Sequence, residues 1–392
     1  MLQKSFVGIM FYEKKYKRIP FATGKFKKQL QYFEEAAKKN NVNLCFFRLS
    51  DIEPGIFTIK AYVLGEKGYE LQTIPRPKVI YHRRVDRKSV RSKMRTLIAD
   101  GVTIFNARTY DYGKLPIWKL LSKNSSLSPQ LPSTQVATVA NIKEMMKKYN
   151  SLIIKPDIGA VGRGLMKIER KAGKWCFSYT VKQGRKKIRK ETYFRSKLPS
   201  VLKDRLKSIT YIVQERINLA TYNNNPFDIR VAVQRNSIGE WETTAFITKV
   251  AENRFYITNV SQGGKAYPLE TILKDHPQLS YDEVVKNISH FCLSIAEHLS
   301  NHLSHIGCLG IDIGITADGT PYFIEVNYLS DFETLTFRNK ELVFEDWKKV
   351  YTTPIDYAAY LIKKEKSFTS LVSPFFERIV KNMTYFPKKP RS

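Results

Sequence analysis

Short apolar runs separated by charge dominate the first hundred residues. Val7-Gly-Ile-Met-Phe11 predicts a strand, ended by Glu13, Lys14 and Lys15. Lys25 to Lys39 then places Phe26, Leu30, Phe33 and Ala37 at three- and four-residue spacings, one face of an amphipathic helix. Leu44-Cys-Phe-Phe47, Val79-Ile-Tyr81 and Val102-Thr-Ile-Phe105 supply further strands, so residues 1–110 read as a small α/β domain. The Ser- and Pro-rich stretch Ser122 to Pro132 reads as an internal boundary or hinge, and a helix from Asn141 to Tyr149 follows it. From Ser151 to Asn327 strand signals prevail, broken by a long helix from about Tyr281 to Ser304. The tail is helical and ends in Lys388-Lys-Pro-Arg391. Beyond residue 110 the expected division is 111–216 and 217–392, and no repeat at solenoid spacing is present.

Within the strand-rich region, Gly307 to Asn327 carries the most chemistry. Asp318-Gly319 predicts a two-residue hairpin turn. If Ala317 pairs with Thr320, residues whose numbers sum to 637 face each other, which sets Asp312 opposite Glu325 and Gly310 opposite Asn327. Alternation then assigns Leu309, Ile311, Ile313, Ile315, Tyr322, Ile324 and Val326 to the core and leaves Asp312, Glu325 and Asn327 together on the other face. Opposed Cβ atoms lie roughly 4.5–5.5 Å apart, so two ionised carboxylates there repel unless a cation sits between them. Two carboxylates and an amide oxygen suit Mg²⁺ shared with a substrate's phosphates. Gly310 and Gly314, on the face of Asp312, leave room for a ligand. The plainer alternative is an ordinary hairpin with a solvated outer face.

Upstream, Leu152-Ile-Ile-Lys-Pro156 and Leu165-Met-Lys-Ile168 read as strands joined by a loop with glycines at 159, 162 and 164. A Walker loop or a dinucleotide fingerprint needs a helix straight after its glycines, and none is signalled. What remains is a strand-to-strand loop whose backbone amides could close over phosphates, with Lys155 in the adjoining strand. By themselves the glycines fit a plain turn equally well.

Composition adds one strong constraint. The 392 residues are 43% apolar and 12% aromatic, enough for a sizeable core, yet carry a formal charge of +30. That charge implies attraction to polyanions without choosing among them. Between Leu165 and Thr210, 15 Lys and Arg stand against three acids, and the densest point, Lys182 to Lys190, reads as the tip of a β-hairpin that is either a polyanion contact or a solvated loop. No run approaches the roughly 18 apolar residues of a membrane span, and no signal peptide is read at the N-terminus. Cys45, Cys176, Cys292 and Cys308 lie too far apart for a zinc or disulfide framework, so a cytoplasmic location is expected. His298, His302 and His305 follow one helix face at metal-ligand spacing, but no Glu lies between the first two as zincins require.

Five blocks occur in order: Ile153-Ile-Lys-Pro-Asp-Ile-Gly-Ala-Val-Gly-Arg-Gly164, Tyr211-Ile-Val-Gln-Glu-Arg-Ile217, Pro226-Phe-Asp-Ile-Arg230, Ile257-Thr-Asn-Val-Ser-Gln-Gly-Gly264, and Gly310-Ile-Asp-Ile-Gly314 with Phe323-Ile-Glu-Val-Asn327. This order resembles the ATP-grasp superfamily, and within it the YheC/YheD endospore-coat-associated branch, over most of the chain. The resemblance implies an ATP-grasp fold of the α/β (α+β) class behind an N-terminal pre-ATP-grasp domain. It also implies an ADP-forming ligase that joins a carboxylate substrate to an amine substrate, acidic or peptidic ones included, through an acyl phosphate. It assigns ATP to Lys155, Gly162, Gly164, Gln214, Glu215 and Ile217, with a second phosphate lysine at Lys114 in preference to Lys119. Two magnesium ions fall to Asp312, Glu325 and Asn327, with Glu325 bridging them. Arg230, Lys249 and Asn259 take catalytic places, and Gly263 and Gly264 a substrate loop. For Arg230 the plainer alternative is a surface ion pair with Asp228 or another acid. Lys249 stands where relatives carry arginine, and Tyr328-Leu-Ser330 where they often carry proline. The rival from another class is a non-catalytic polyanion binder on a retired ligase scaffold.

Overall fold

Each apolar run of the first hundred residues becomes a strand of one sheet. A computed structural model describes residues 4–83, 91–107, 113–159, 162–183, 186–251, 258, 264–328 and 348–383. Strands β1 (Phe6–Met10), β2 (Asn43–Phe47), β3 (Thr58–Gly65), β4 (Gly68–Pro75), β5 (Val79–His82) and β6 (Thr103–Phe105) stand in the order β4-β3-β2-β1-β5-β6. β1 runs parallel to β2 and β5, and β5 to β6, while β3 and β4 form an antiparallel hairpin. The helix Gly24–Lys39 makes the crossover between β1 and β2 and buries Phe26, Leu30, Phe33 and Ala37.

The C-terminal helix Lys348–Met383 groups with this sheet by its contacts, whereas the sequence reading places it in a 217–392 division. Tyr351 meets Phe33 edge-on at 5.7 Å, Tyr357 meets Phe105 at 5.2 Å, and Asp356 accepts a hydrogen bond from Asn40. Helical periodicity gives the apolar stripe of such a helix but not the surface that stripe covers. The first unit thus comprises Met1–Thr109, Arg235–Glu240 and Lys348–Ser392, and the second comprises Tyr110–Gln234 and Trp241–Trp347.

The second unit holds two antiparallel sheets. In one, β7 (Thr134–Val136), β8 (Ser151–Pro156), β9 (Met166–Lys171), β10 (Lys174–Gln183), β11 (Lys186–Phe194) and β12 (Tyr211–Glu215) stand in the order β11-β10-β9-β8-β12-β7. Leu152, Ile154, Met166, Ile168, Phe177 and Val213 share a core with Ile142, Met145 and Leu202 of the helices Val139–Lys148 and Ser200–Ser208. In the other sheet, β13 (Thr221–Tyr222), β14 (Asn225–Arg235), β15 (Trp241–Val250), β16 (Lys265–Tyr267), β17 (Cys308–Ile315) and β18 (Pro321–Asn327) are arranged β16-β15-β14-β17-β18, with β13 against β14. The helix Tyr281–His302 packs Ile288, Cys292, Ile295 and Leu299 into one core with Leu309, Ile311, Ile313 and Ile315.

One sequence expectation changes here. Ser122 to Pro132 is no hinge: Leu127 and Leu131 lie in the same core, and the Trp118 indole donates to the Pro132 carbonyl at 2.8 Å. Ser and Pro mark a break in regular structure but do not report whether the irregular segment is packed. The histidines also have packing partners, with His298 Nε2 3.0 Å from the Leu120 carbonyl and His302 Nδ1 2.9 Å from the His298 carbonyl. Among the described residues no helix is long and apolar enough to cross a membrane.

Candidate active site

The β17–β18 ribbon pairs Asp312 with Glu325 and Gly310 with Asn327, as the count gives, but by a different route. Thr316 N donates to Thr320 O and Gly319 N to Thr316 O, so the loop has three residues, with Gly319 at φ +83°. That shifts Ile313 onto Phe323 and Ile315 onto Pro321, one residue off the expected register. A bulge between Asp312 and Ile313 restores it, leaving Ile324 without an opposite partner. The two one-residue departures cancel at the site. They do not cancel toward the core, where Phe323 is buried in place of Tyr322 and Ile324.

Gly314 also departs from expectation. A Cβ there would lie 2.5 Å from the Leu219 side chain, so this glycine admits a leucine and not a ligand.

Around Asp312 the sheet gathers buried charge. Arg230 lies opposite it on β14 and grips it with two bonds, Nε to Oδ1 at 2.5 Å and a terminal nitrogen to Oδ2 at 2.9 Å. The partner of Arg230 is therefore Asp312, a buried acid of the site, and not an acid at the surface. Lys249, 3% exposed, sets its ammonium 3.0 Å from Asp312 Oδ1 and 2.6 Å from Asp228 Oδ1. Asp228 in turn accepts from the Thr258 hydroxyl.

Burial works to raise the Asp312 carboxyl, but Arg230 and Lys249 outweigh it and hold it well below the usual carboxylate range. At Lys249 the desolvation that favours the neutral amine is overcome by Asp228 and Asp312, and its pKa rises. Asp228 is pushed up by burial against the pull of Lys249. Sequence reading did not single out Asp228 as a site residue, although its position two residues before Arg230 puts it on the same face of β14.

Two lysines approach the ribbon, one from the other sheet and one from a helix. Lys155, 7% exposed on β8, donates to the Ile324 carbonyl at 3.1 Å, the carbonyl of the residue that the bulge leaves over. Desolvation lowers its pKa to about 8, with Glu325 and Asp312 working against the shift and Lys114 adding to it. Lys114 opens the helix Lys114–Leu121, donates to the Gly159 carbonyl at 2.8 Å and lies 3.9 Å from Glu325 Oε2. Lys119 of the same helix is exposed. Gly162 and Gly164 have φ of +66° and +76°, a region where a side chain is strained.

Gln214 is buried and donates to the Thr134 hydroxyl at 2.8 Å. It lies in a cross-strand row, Thr134–Gln214–Ile153–Lys167–Ser178–Glu191, on the face opposite the core. Glu215 accepts from Ser133 N at 3.2 Å, and Ile217 is half-buried beyond the strand end. Asn259 and Gly263 lie outside the described residues; at Gly264 a Cβ would come 2.1 Å from the Thr258 carbonyl, so close backbone approach requires the glycine. In the basic hairpin β10 and β11 pair from Trp175↔Phe194 to Gln183↔Lys186, with residues 184 and 185 outside the described set.

Among the described residues no three His, Cys, Asp or Glu side chains gather as a metal-binding group. The set at the ribbon is two carboxylates and an amide, with Asn327 Nδ2 only loosely placed at 3.5 Å from Asp312 Oδ2 and 3.4 Å from Glu325 Oε1. Such hard oxygen donors fit an ion that takes its remaining ligands from phosphate and water.

Residues 101–361 match the family described as "YheC/D like ATP-grasp". The endospore coat-associated protein YheD of Bacillus subtilis (strain 168) is 28% identical over 324 residues, 80% of this chain and 69% of that protein. The endospore coat-associated protein YheC of the same organism is 23% identical over 351 residues, 86% and 94%. Among solved structures, the ATP-grasp ligase PsnB complexed with minimal precursor, Mg and ADP is 15% identical, covering 92% of this chain and 99% of its own, with a TM-score of 0.49. With two thirds of its length inside the family match, this chain belongs to the YheC/D-like ATP-grasp family and has the ATP-grasp fold.

Proposed function

We propose that the chain is an ATP-dependent carboxylate–amine ligase. A substrate carboxylate attacks the γ-phosphorus of ATP to give an acyl phosphate and ADP, and an amine then displaces phosphate. The observation that carries this reading is the pairing of Asp312 with Glu325 while Lys155 rests on the Ile324 carbonyl beside them and Arg230 forks onto Asp312. Metal-bound triphosphate is the ligand whose charge suits this arrangement of three acids (Asp228, Asp312, Glu325) and four cations (Lys114, Lys155, Arg230, Lys249).

In this reading Lys114 and Lys155 hold phosphates, Gly162 and Gly164 belong to the loop over them, and Gln214, Glu215 and Ile217 border the adenine. Asp312, Glu325 and Asn327 would hold magnesium, with Glu325 between two ions. Bound there, magnesium would offset charge on the β and γ phosphates. The chain's own part is positioning and charge. Arg230 spends two of its five N–H donors on Asp312, which fixes the guanidinium plane and leaves donors for the transferring phosphoryl group. Lys249 sets its ammonium against the carboxyl groups of both Asp228 and Asp312. Asn259, Gly263 and Gly264 fall on the substrate side, and no general base is assigned. Chemistry of this kind depends on geometry and electrostatics more than on a side-chain nucleophile.

ADP release measured across amino acids, short acidic peptides and cell-extract fractions, with product mass determined, tests the reading. Carboxylate-dependent ADP formation is expected, reduced about a thousandfold in Glu325→Gln and Lys155→Ala while the circular dichroism is unchanged. Near-normal turnover in both variants refutes the site. The +30 charge supports a second reading, a non-catalytic polyanion binder, which salt-dependent DNA retention without any ADP release would favour.

A further inference from the structure

Gly113 precedes the helix Lys114–Leu121 at φ −68° and ψ 169°, a conformation open to every residue, so its backbone does not explain a glycine. The space does. A Cβ at Gly113 would lie 2.2 Å from Asp157 Oδ2 and 2.6 Å from its Cγ. With no side chain of its own at the cap position, the helix takes its cap from Asp157, which accepts from Leu115 N through Oδ1 at 2.7 Å and from Lys114 N through its carbonyl at 3.0 Å. Asp157 also follows Lys155-Pro156 directly at the end of β8 and leads into the glycine loop. Two residues on, the Gly159 carbonyl accepts from Lys114 Nζ at 2.8 Å. One aspartate therefore joins the strand of one phosphate lysine, the helix of the other and the stem of the glycine loop.

We propose that Asp157 is a positioning residue that acts through Lys114: by capping its helix into the space left by Gly113, it holds the Lys114 ammonium against the glycine-loop stem and beside Glu325. This rests on the nucleotide-binding reading of the site for its consequence but not for its geometry. Asn at 157 keeps an acceptor oxygen for Leu115 N, whereas Ala removes it; Ala at 113 drives the carboxylate out of its place.

Because Arg163 is exposed within the loop, limited trypsin cleavage at Arg163 in the nucleotide-free protein reads the clamp alone. Asp157→Ala, Gly113→Ala and Lys114→Ala should each raise the cleavage rate about tenfold, Asp157→Asn should stay within about threefold of the parent, and the double variant Asp157→Ala/Lys114→Ala should cleave no faster than the quicker single variant. In nucleotide titrations Asp157→Ala should weaken ATP binding about tenfold in the parent background and have no further effect on Lys114→Ala. Unchanged cleavage in Asp157→Ala, or additive effects in the double variant, overturns the proposal. Failure of the parent protein to bind ATP while the cleavage pattern holds removes the functional reading and leaves the clamp.

Discussion

Two hairpins of the second unit carry most of its charge story, and they use charge in opposite ways. On β10–β11 and the adjoining β9 the pairs run along a half-open face: Arg189 meets Glu191 at 2.6 Å on β11 and Lys171 meets Glu169 at 2.7 Å on β9, with side chains 27–40% exposed on three of these four residues. In β17–β18 the single acid Asp312 has a side chain 4% exposed and is held by Arg230 from β14 and Lys249 from β15. Solvent screens the first set, and its pairs contribute little. The second set is isolated from water, so each charge depends on its partner. Density of charge along the chain and burial of charge therefore pick out different hairpins, and the candidate site lies where the charge is buried.

The largest test of that contrast is stability. Arg230→Leu leaves Asp312 buried with only Lys249 and should lower the unfolding free energy by about 3–5 kcal/mol in urea titration. Arg189→Leu should cost about 1 kcal/mol or less. Equal losses would dissolve the distinction between the two hairpins.

A smaller effect isolates the bulge. Deleting Ile324 makes the ladder continuous while keeping Asp312 opposite Glu325, but it removes the carbonyl on which Lys155 rests. ATP affinity by fluorescence titration should fall about tenfold, in line with the loss of one charged hydrogen bond. Unchanged affinity would make the bulge a packing device alone.

The smallest effect is in pH. Lys155 has a folded pKa of about 8 against 10.5 unfolded, so between these values the unfolded chain binds more protons and stability rises with pH. The cost of charging it is present in full below about pH 8. The parent's urea midpoint should accordingly gain on that of Lys155→Met below pH 10 as pH climbs from 8; parallel curves would contradict the burial assigned to Lys155. For Asp312 the sign is opposite. Its depressed pKa adds stability above its unfolded value of 3.8, and that contribution is lost as pH falls from there toward the lower folded value.

Much of this was legible in the sequence because period-two alternation is strict. The pattern around Asp312 names the core residues of β17, and the Asp-Gly turn fixes the partner strand. What alternation cannot report is an extra residue. Phe323 and Glu325 stand two apart yet face opposite ways, which only the bulge at Ile324 permits, and the loop's third residue conceals it from counting. The partners of buried charge were also out of reach. Asp228, Thr258 and Asp157 are short polar side chains of kinds common in turns, and their meaning comes from partners distant in sequence. The Lys348–Met383 helix was readable as a helix and not as a cover for the first sheet, since amphipathicity names a face without naming its neighbour.

The claim at the centre is that Glu325, together with Asp312, holds a metal-bound triphosphate. Calorimetric titration of ATP into the parent and Glu325→Gln, each with and without magnesium, tests it most directly. The parent should bind ATP tightly only with magnesium, and Glu325→Gln should lose most of that magnesium-dependent gain while unfolding at the same urea concentration. Equal magnesium dependence in the two proteins, or no ATP binding by the parent, would contradict the account.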